Sequence, residues 1–148
     1  MIDNTQVAGI EKSLRHVSYI VKQKGREILN QFPITPPQFV ALQWLQEDGD
    51  MTIGELSNKM YLACSTTTDL VDRMENNQLV ERIKDEKDRR VVQIHLLEKG
   101  ESIIREVVKE RQNYLQNVLC HFTAEEVENI EKSMTLLHDN MTKEEQNI

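Results

Sequence analysis

Apolar residues repeat along the chain with the spacing of amphipathic helices. Near the start of the sequence they lie three, four or seven positions apart, which places them on one face of a helix. These positions are Val7, Ile10, Leu14, Val17, Val21 and Ile28. The pattern predicts a first helix from about residue 4 to residue 30, followed by Pro33, which ends it.

Two shorter helices with clear start signals follow. Thr35 is a suitable N-cap, Pro36 fits the first helical position, and Gln38 completes a capping box. Thr52 and Glu55 repeat the same signal for a third helix. The second helix is predicted to turn inward the residues Phe39, Leu42 and either Leu45 or Trp44.

The segment STTTDLVDRMENN predicts a fourth helix with two different faces. Its inward face is predicted to hold Ala63, Thr67, Leu70, Val71 and Met74. Its outward face is small and polar, with Ser65, Thr66, Thr68, Asp69 and Asp72. Two short helices joined by a tight turn, the second with a polar start, are typical of a helix-turn-helix, which we place at about residues 52–76.

Residues 79–83 and 90–96 alternate with a period of two and are rich in β-branched side chains, which predicts an antiparallel hairpin. The connecting loop has no tight-turn pair, so we expect a longer hairpin. Residues 82–90 hold five basic and three acidic residues, a net charge of +2, in a chain whose net charge is −7. The sequence therefore predicts a locally basic hairpin tip in an acidic protein.

Two long amphipathic helices complete the chain. Gly100 is expected to precede a helix of about 20 residues, and Thr123 and Glu126 form a capping box for the last one. Apolar stripes on the first and last helices are longer than one small domain can bury, so they need a partner face, and a symmetric dimer supplies it.

The predicted fold class is mainly α with a small β-hairpin wing (α+β). We expect a winged helix-turn-helix whose N- and C-terminal helices form a dimerisation domain. The winged-helix lobe is placed at residues 34–96, with its wing at 79–96. The dimerisation helices are placed at residues 4–31 and 98–143.

Composition narrows the class of protein further. No run of 18 apolar residues is present, the opening residues lack the layout of a signal peptide, and Cys64 and Cys120 form no disulfide framework, which together favour a cytoplasmic protein with reduced thiols. No phosphate-binding loop, nucleophile motif or metal-ligand pair is found, so we expect neither an enzyme nor a cofactor nor a metal. The histidines are too dispersed along the chain to indicate a metal site: His16, His95, His121 and His138.

The segment LVERIKDEKDRRVVQIHLLEKG, residues 79–100, resembles the wing of the MarR (multiple antibiotic resistance regulator) family. LACSTTTDLVDRMENNQLVER is similar to the recognition helix of that family and its exit, and the resemblance spans about residues 8–142. It implies a homodimer that binds inverted-repeat operators in double-stranded DNA, usually as a repressor. Relatives are often released by a small-molecule effector, and this sequence specifies none.

The resemblance also implies roles for individual residues. Asp88 would hold the wing arginine, Arg90 would enter the minor groove, and Arg82 would brace Asp88. Ser65, Thr66 and Thr68 would face the major groove. The rest of the expected DNA-facing set is Asp69, Arg73, Lys84, Lys87 and Arg89. Where the family often has Gly at the recognition-helix exit, Gln78 stands here, so Asn77 is expected to supply the left-handed residue.

Each assignment has an alternative. The wing can be a solvated charged turn, and the Ser and Thr residues an N-cap cluster without a ligand. Asp69 can accept a hydrogen bond from a cytosine or pair with Arg73. Cys64 is a candidate redox switch or a small buried apolar residue. The whole chain can be a winged-helix protein-interaction module that does not bind DNA, or a thiol- or zinc-responsive sensor of the same fold.

Overall fold

A computed structural model describes residues 1–147, which form six helices and two strands. The helices are α1 (Asn4–Leu29), α2 (Pro36–Asp48), α3 (Ile53–Met60), α4 (Cys64–Asn76), α5 (Glu98–Leu119) and α6 (Ala124–Gln146). The strands are β1 (Val80–Lys84) and β2 (Val92–Leu96). The chain divides into two compact units, residues Met1–Arg111 and the residues from Gln112 onward. This element order confirms the predicted winged-helix fold class.

Two of the predicted capping boxes are complete. At α2 the Thr35 hydroxyl accepts from the Gln38 N–H at 3.4 Å, and the Gln38 side chain accepts from the Thr35 N–H at 3.1 Å. Thr123 and Glu126 exchange the same two bonds at α6. These bonds satisfy N–H groups that have no partner inside the helix, so local sequence sets both starts.

The start of α3 has only half of the predicted box. Thr52 accepts from the Glu55 N–H at 3.1 Å, but the Glu55 carboxylate accepts from the Thr52 hydroxyl at 3.2 Å rather than from the backbone. Thr52 is still the N-cap, as predicted.

The core of the first unit draws on α1 through the start of α5. Its buried apolar residues are Ile28, Leu29, Ile34, Phe39, Ala41, Leu42, Leu45, Met51, Leu56, Val71, Met74, Leu79, Val80, Ile94, Leu96, Ile103, Ile104 and Val107. Trp44 packs on this core only in part, so Leu45 is the inward residue of the predicted pair. Because Ile103, Ile104 and Val107 belong to it, the first turns of α5 complete the lobe.

Gly100 lies inside α5, which begins at Glu98, so the prediction that this glycine precedes the helix is wrong. A Cβ at Gly100 would lie 2.7 Å from the carbonyl oxygen of Leu79 and 2.7 Å from Cδ1 of Leu96. The glycine is therefore required by close packing of the helix on the wing, and it does not mark a helix boundary.

The wing strands pair antiparallel, with Val80 opposite Leu96 and Lys84 opposite Val92. Both strands start later than predicted, and Arg90 lies in the loop. Met51, in the connection between α2 and α3, pairs with Ile94 of β2. The two residues exchange backbone hydrogen bonds of 3.3 and 2.6 Å. The wing is thereby attached to the start of the helix-turn-helix.

The second unit has no buried core of its own within the described residues. None of the residues that the structure describes from Gln112 onward is buried. The exposed large apolar residues there are Leu115, Val118, Phe122, Ile130, Met134, Leu136 and Met141. Within residues 1–147, no helix has the length and apolar character needed to cross a membrane.

Candidate nucleic-acid interface

The start of α4 presents small hydroxyl side chains to solvent. Ala63 is its N-cap and makes no side-chain cap bond, while Ser65 and Thr66 are exposed. These two residues are therefore not engaged as the N-cap, which removes support from the reading of them as a cap cluster. A helix start without a side-chain cap leaves backbone N–H groups available to an anion.

The other two threonines of this segment face inward or back along the helix. Thr67 is fully buried, as predicted, and its hydroxyl donates to the Ala63 carbonyl at 3.1 Å. The Thr68 hydroxyl donates to the Cys64 carbonyl at 2.8 Å, so its proton is engaged within the helix. Ala63 is exposed rather than inward as predicted, because it lies at the cap outside the first turn.

Arg82 does not brace Asp88, and that expectation is wrong. Its guanidinium binds Asp72 at 2.6 Å and Glu75 at 2.7 Å, both on α4, and its backbone N–H donates to Glu75 at 3.0 Å. Partial burial lowers the pKa of Arg82, but the bonds to Asp72 and Glu75 outweigh it and leave the pKa raised. Arg82 lies on the strand beside α4, so it ties the wing to the recognition helix.

This contact changes the electrostatics of the interface. Asp72, which is awkward near phosphates, shares the single positive charge of Arg82 with Glu75, so its negative charge is only partly offset. With Arg82 engaged, residues 84–90 hold four basic and three acidic side chains, a net charge of +1. Asp69 stays exposed, and no ion pair joins it to Arg73 within the described residues. The orientation of individual cations therefore matters more than net charge.

Asp88 and Arg90 come together at the wing tip. Asp88 accepts from Arg90 Nε at 3.1 Å, from its Nη2 at 3.2 Å and from its backbone N–H at 3.1 Å. The side-chain bond from Arg90, followed by the backbone bond, lowers the pKa of the Asp88 carboxyl. The Arg90 side chain remains 92% exposed. Asp88 therefore orients an arginine that is open to solvent, beside the exposed Lys84, Lys87 and Arg89.

The exit of α4 turns at Gln78, not at Asn77 as expected. Gln78 has φ 63°, while Asn77 has φ −90°. The Leu79 N–H bonds to the Met74 carbonyl at 2.9 Å and the Gln78 N–H to the Glu75 carbonyl at 3.0 Å, which is a Schellman motif. That motif places the left-handed residue one position after the C-cap, at Gln78.

Tyr61 is a surface residue that the sequence pattern missed. It ends α3 with φ 55° and ψ 42°, in the turn before α4, and the residue is 95% exposed. In the sequence it reads as part of a short apolar connection. Its place next to the recognition helix makes its hydroxyl a candidate phosphate contact.

Both cysteines are exposed, so the reading of Cys64 as a buried apolar residue is wrong. The Cys64 sulfur lies 3.4 Å from the Ser57 hydroxyl, and Cys120 donates to the Asn117 carbonyl at 3.0 Å. Across residues 1–147, no group of three His, Cys, Asp or Glu side chains is arranged to hold a metal ion.

Comparison with known proteins identifies the family and agrees with the fold. A model of the MarR family matches residues 34–92. The chain is 66% identical over 137 residues to the HTH-type transcriptional regulator YsmB of Bacillus subtilis (strain 168), covering 93% of this chain and 94% of that protein.

Solved structures of other proteins have a similar fold. A MarR family protein from Bacillus stearothermophilus is 60% identical, with a TM-score of 0.86, over 96% of this chain and 99% of that one. A Staphylococcus aureus MepR mutant, solved bound to an oligodeoxyribonucleotide, shares the fold at 24% identity and a TM-score of 0.69, over 89% of this chain and 97% of that one.

The helix-turn-helix and its wing define a winged-helix transcriptional regulator. The chain belongs to the MarR family, a family of transcriptional regulators and not of enzymes.

Proposed function

We propose that the chain acts as a homodimer that binds an inverted-repeat operator in double-stranded DNA, as a repressor. The dimer is supported by the apolar residues that the single chain leaves uncovered. On α1 these include Val7, Ile10, Val17 and Val21, and the second unit has a similar set. Exposed apolar area of this extent marks an interaction surface, and a two-fold dimer covers like surfaces with like.

The observation that carries DNA binding is the wing arginine. Asp88 holds the Arg90 guanidinium in one orientation, yet the Arg90 side chain is 92% exposed and so stays accessible to DNA. A narrow A·T-rich minor groove concentrates negative potential and attracts such a side chain. The two bonds from the Arg90 guanidinium to Asp88 fix the direction of the side chain, and the backbone bond fixes the turn beneath it.

The recognition helix supplies the second contact. Ser65 and Thr66 at its start would meet base edges and phosphates, and the Thr68 methyl would pack on thymine methyl groups. Arg73, Lys84, Lys87 and Arg89 would contact the backbone. Asp69 is free to accept from a cytosine amino group, since it does not pair with Arg73. The half-sites of the operator would lie about one helical turn, roughly 10 bp, apart.

Repression and release complete the proposal. A dimer seated on an operator blocks the promoter, and a small molecule or an oxidant would release it. Cys64, exposed at the first residue of α4, is the thiol through which an oxidant would act. We place the protein in the cytoplasm, where bacterial DNA lies, and expect no membrane partner.

The test is a salt titration of binding to duplex DNA from the promoter of its own gene. Each phosphate contact adds about 0.9 to the slope of log affinity against log salt. We expect Arg90→Ala to reduce affinity about tenfold or more at fixed salt and to leave thermal stability unchanged. The matched control is Arg15→Ala, since Arg15 also lies in an exposed ion pair, with Glu11 at 3.0 Å, but far along the chain from the wing.

Two results would contradict this role. Equal losses of binding and of thermal stability in Arg90→Ala would make the arginine structural. A complete absence of promoter binding, with the protein folded and dimeric, would favour the alternative of a winged-helix module that binds another protein.

A further inference from the structure

His95 connects the wing to the start of the helix-turn-helix. It lies on β2, and its Nδ1 is 2.8 Å from Oδ1 of Asp50 in the connection between α2 and α3. Both side chains are partly exposed, at 45% and 35%. The contact therefore spans 45 positions of sequence with a group that titrates near neutral pH.

The backbone beside this pair is also bonded. Met51 and Ile94, the immediate neighbours of Asp50 and His95, exchange the two hydrogen bonds that attach the wing to the connection. Met51 is buried, and the next residue, Thr52, is the N-cap of α3. If the His95–Asp50 contact opened, the backbone pair of Met51 and Ile94 would be the main remaining link between β2 and the α2–α3 connection.

Carboxylates act on His95 from three elements. Asp50 belongs to the α2–α3 connection, Glu81 lies opposite His95 on β1, and Glu101 is on α5. The hydrogen bond to Asp50 raises the pKa of His95 above its ordinary value of 6.5; slight burial opposes this, and the charges of the three carboxylates add to it. A raised folded pKa gives stability that is full below the unfolded pKa and lost as pH rises through the folded one.

We propose that His95 and Asp50 form a pH-dependent latch that holds β2 of the wing against the start of the helix-turn-helix. The latch is closed when His95 is protonated and loosens as pH rises. In the second tie of the wing, to Asp72 and Glu75, the guanidinium of Arg82 stays charged over the same pH range. Rising pH would thus free one edge of the wing while the other stays bound to α4.

Two NMR measurements on the full chain test the latch without DNA. The first follows the His95 ring through a pH titration, in the wild type and in Asp50→Asn. We expect a pKa above 6.5 in the wild type and a lower one in the variant. The second follows hydrogen exchange of the Met51 and Ile94 amides, corrected for the intrinsic pH dependence of exchange.

We expect protection of these two amides to fall about two- to fivefold between about pH 6 and pH 8.5, the range for a partly exposed ion pair. In Asp50→Asn this pH dependence should disappear. The Asp85 amide, bonded to the Val91 carbonyl at 2.9 Å in the wing loop, is the internal control and should not change. His16→Gln removes a histidine from α1 and should behave as the wild type.

An unchanged His95 titration in Asp50→Asn would overturn the latch, and so would pH-independent protection of Met51 and Ile94. The consequence for DNA rests on the proposed function. Operator affinity should fall up to about fivefold more over this range in the wild type than in His95→Gln. Equal pH profiles would refute the coupling of the latch to DNA. No binding at any pH would refute the proposed function, while the exchange data would still decide on the latch.

Discussion

The winged-helix lobe and the second unit are built from helices with similar amphipathic patterns, yet they bury very different amounts of apolar surface. In α4, Val71 and Met74 are buried. In α6, Met134, Leu136 and Met141 are exposed, and no residue described in that helix is buried. Helical periodicity shows that a stripe needs a partner surface, but it does not show whether that surface belongs to the same chain.

Both situations occur within α1. Its last residues, Ile28 and Leu29, are buried in the lobe core, whereas Val7, Ile10 and Val17 near its start are exposed. The predicted stripe is continuous through the helix. One element therefore contributes to the fold of the single chain at one end and offers an interaction surface at the other.

The largest expected effect separates a buried leucine from an exposed one. Leu42 is fully buried, so Leu42→Ala should lower the free energy of unfolding by about 2–5 kcal/mol, measured by urea denaturation. Leu136 is 63% exposed, so Leu136→Ala should cost under about 0.5 kcal/mol at low protein concentration. If the loss in free energy of unfolding for Leu136→Ala grew with protein concentration, Leu136 would be buried by a second chain.

The second prediction concerns the exposed stripe of α1. The double change Ile10→Glu with Val17→Glu should raise the dissociation constant of the dimer about a hundredfold, since it buries charges in an apolar interface. Sedimentation would measure this, and circular dichroism should show a folded lobe. Lys12→Glu, on the opposite face of the helix, is the control. If the double variant still formed a tight dimer, the dimer interface would lie on a surface other than this face of α1.

Glycines give a third comparison. Gly100→Ala should destabilise the protein by about 1–3 kcal/mol, because its Cβ would meet the Leu79 carbonyl at 2.7 Å. Gly9 of α1 has no neighbour within 4 Å of a Cβ, so Gly9→Ala should stabilise by up to about 1 kcal/mol. Thermal melts of both variants measure the difference. A harmless Gly100→Ala would mean that α5 can shift away from the wing.

The smallest effect tests the exit of α4. Gln78→Gly should stabilise by about 0.5 kcal/mol, because glycine removes the cost of a left-handed residue but adds chain entropy to the unfolded state. Asn77→Gly should destabilise by a similar amount, since Asn77 has φ −90°. Denaturation of the two variants side by side would show opposite signs. The reverse order would place the left-handed residue at Asn77 after all.

Local signals were sufficient where the bonds are local. The capping boxes at Thr35 and Thr123 join residues three positions apart, so the pattern of residue types identified them directly. The contact of Asp88 with Arg90 spans two positions and followed from the family resemblance. The buried Thr67 followed from helical period alone.

Contacts between distant segments were not predictable in this way. The family resemblance assigned Arg82 to Asp88, yet Arg82 pairs with Asp72 and Glu75 across the β1–α4 contact. Gly100 looked like a helix boundary until the approach of Leu79 gave it another reason. The link from His95 to Asp50 has no sequence pattern at all.

The sequence by itself determined the order of elements and the capped helix starts, because these depend on periodicity and on neighbours within a few positions. The family and the candidate DNA-facing residues followed from the resemblance of its motifs to those of the family. Only the tertiary structure decided which apolar stripes are buried, where Arg82 and His95 find their partners, and that Gly100 must lack a side chain. Those outcomes depend on which surfaces meet in the folded chain, and the number of residues between two positions does not show whether they meet.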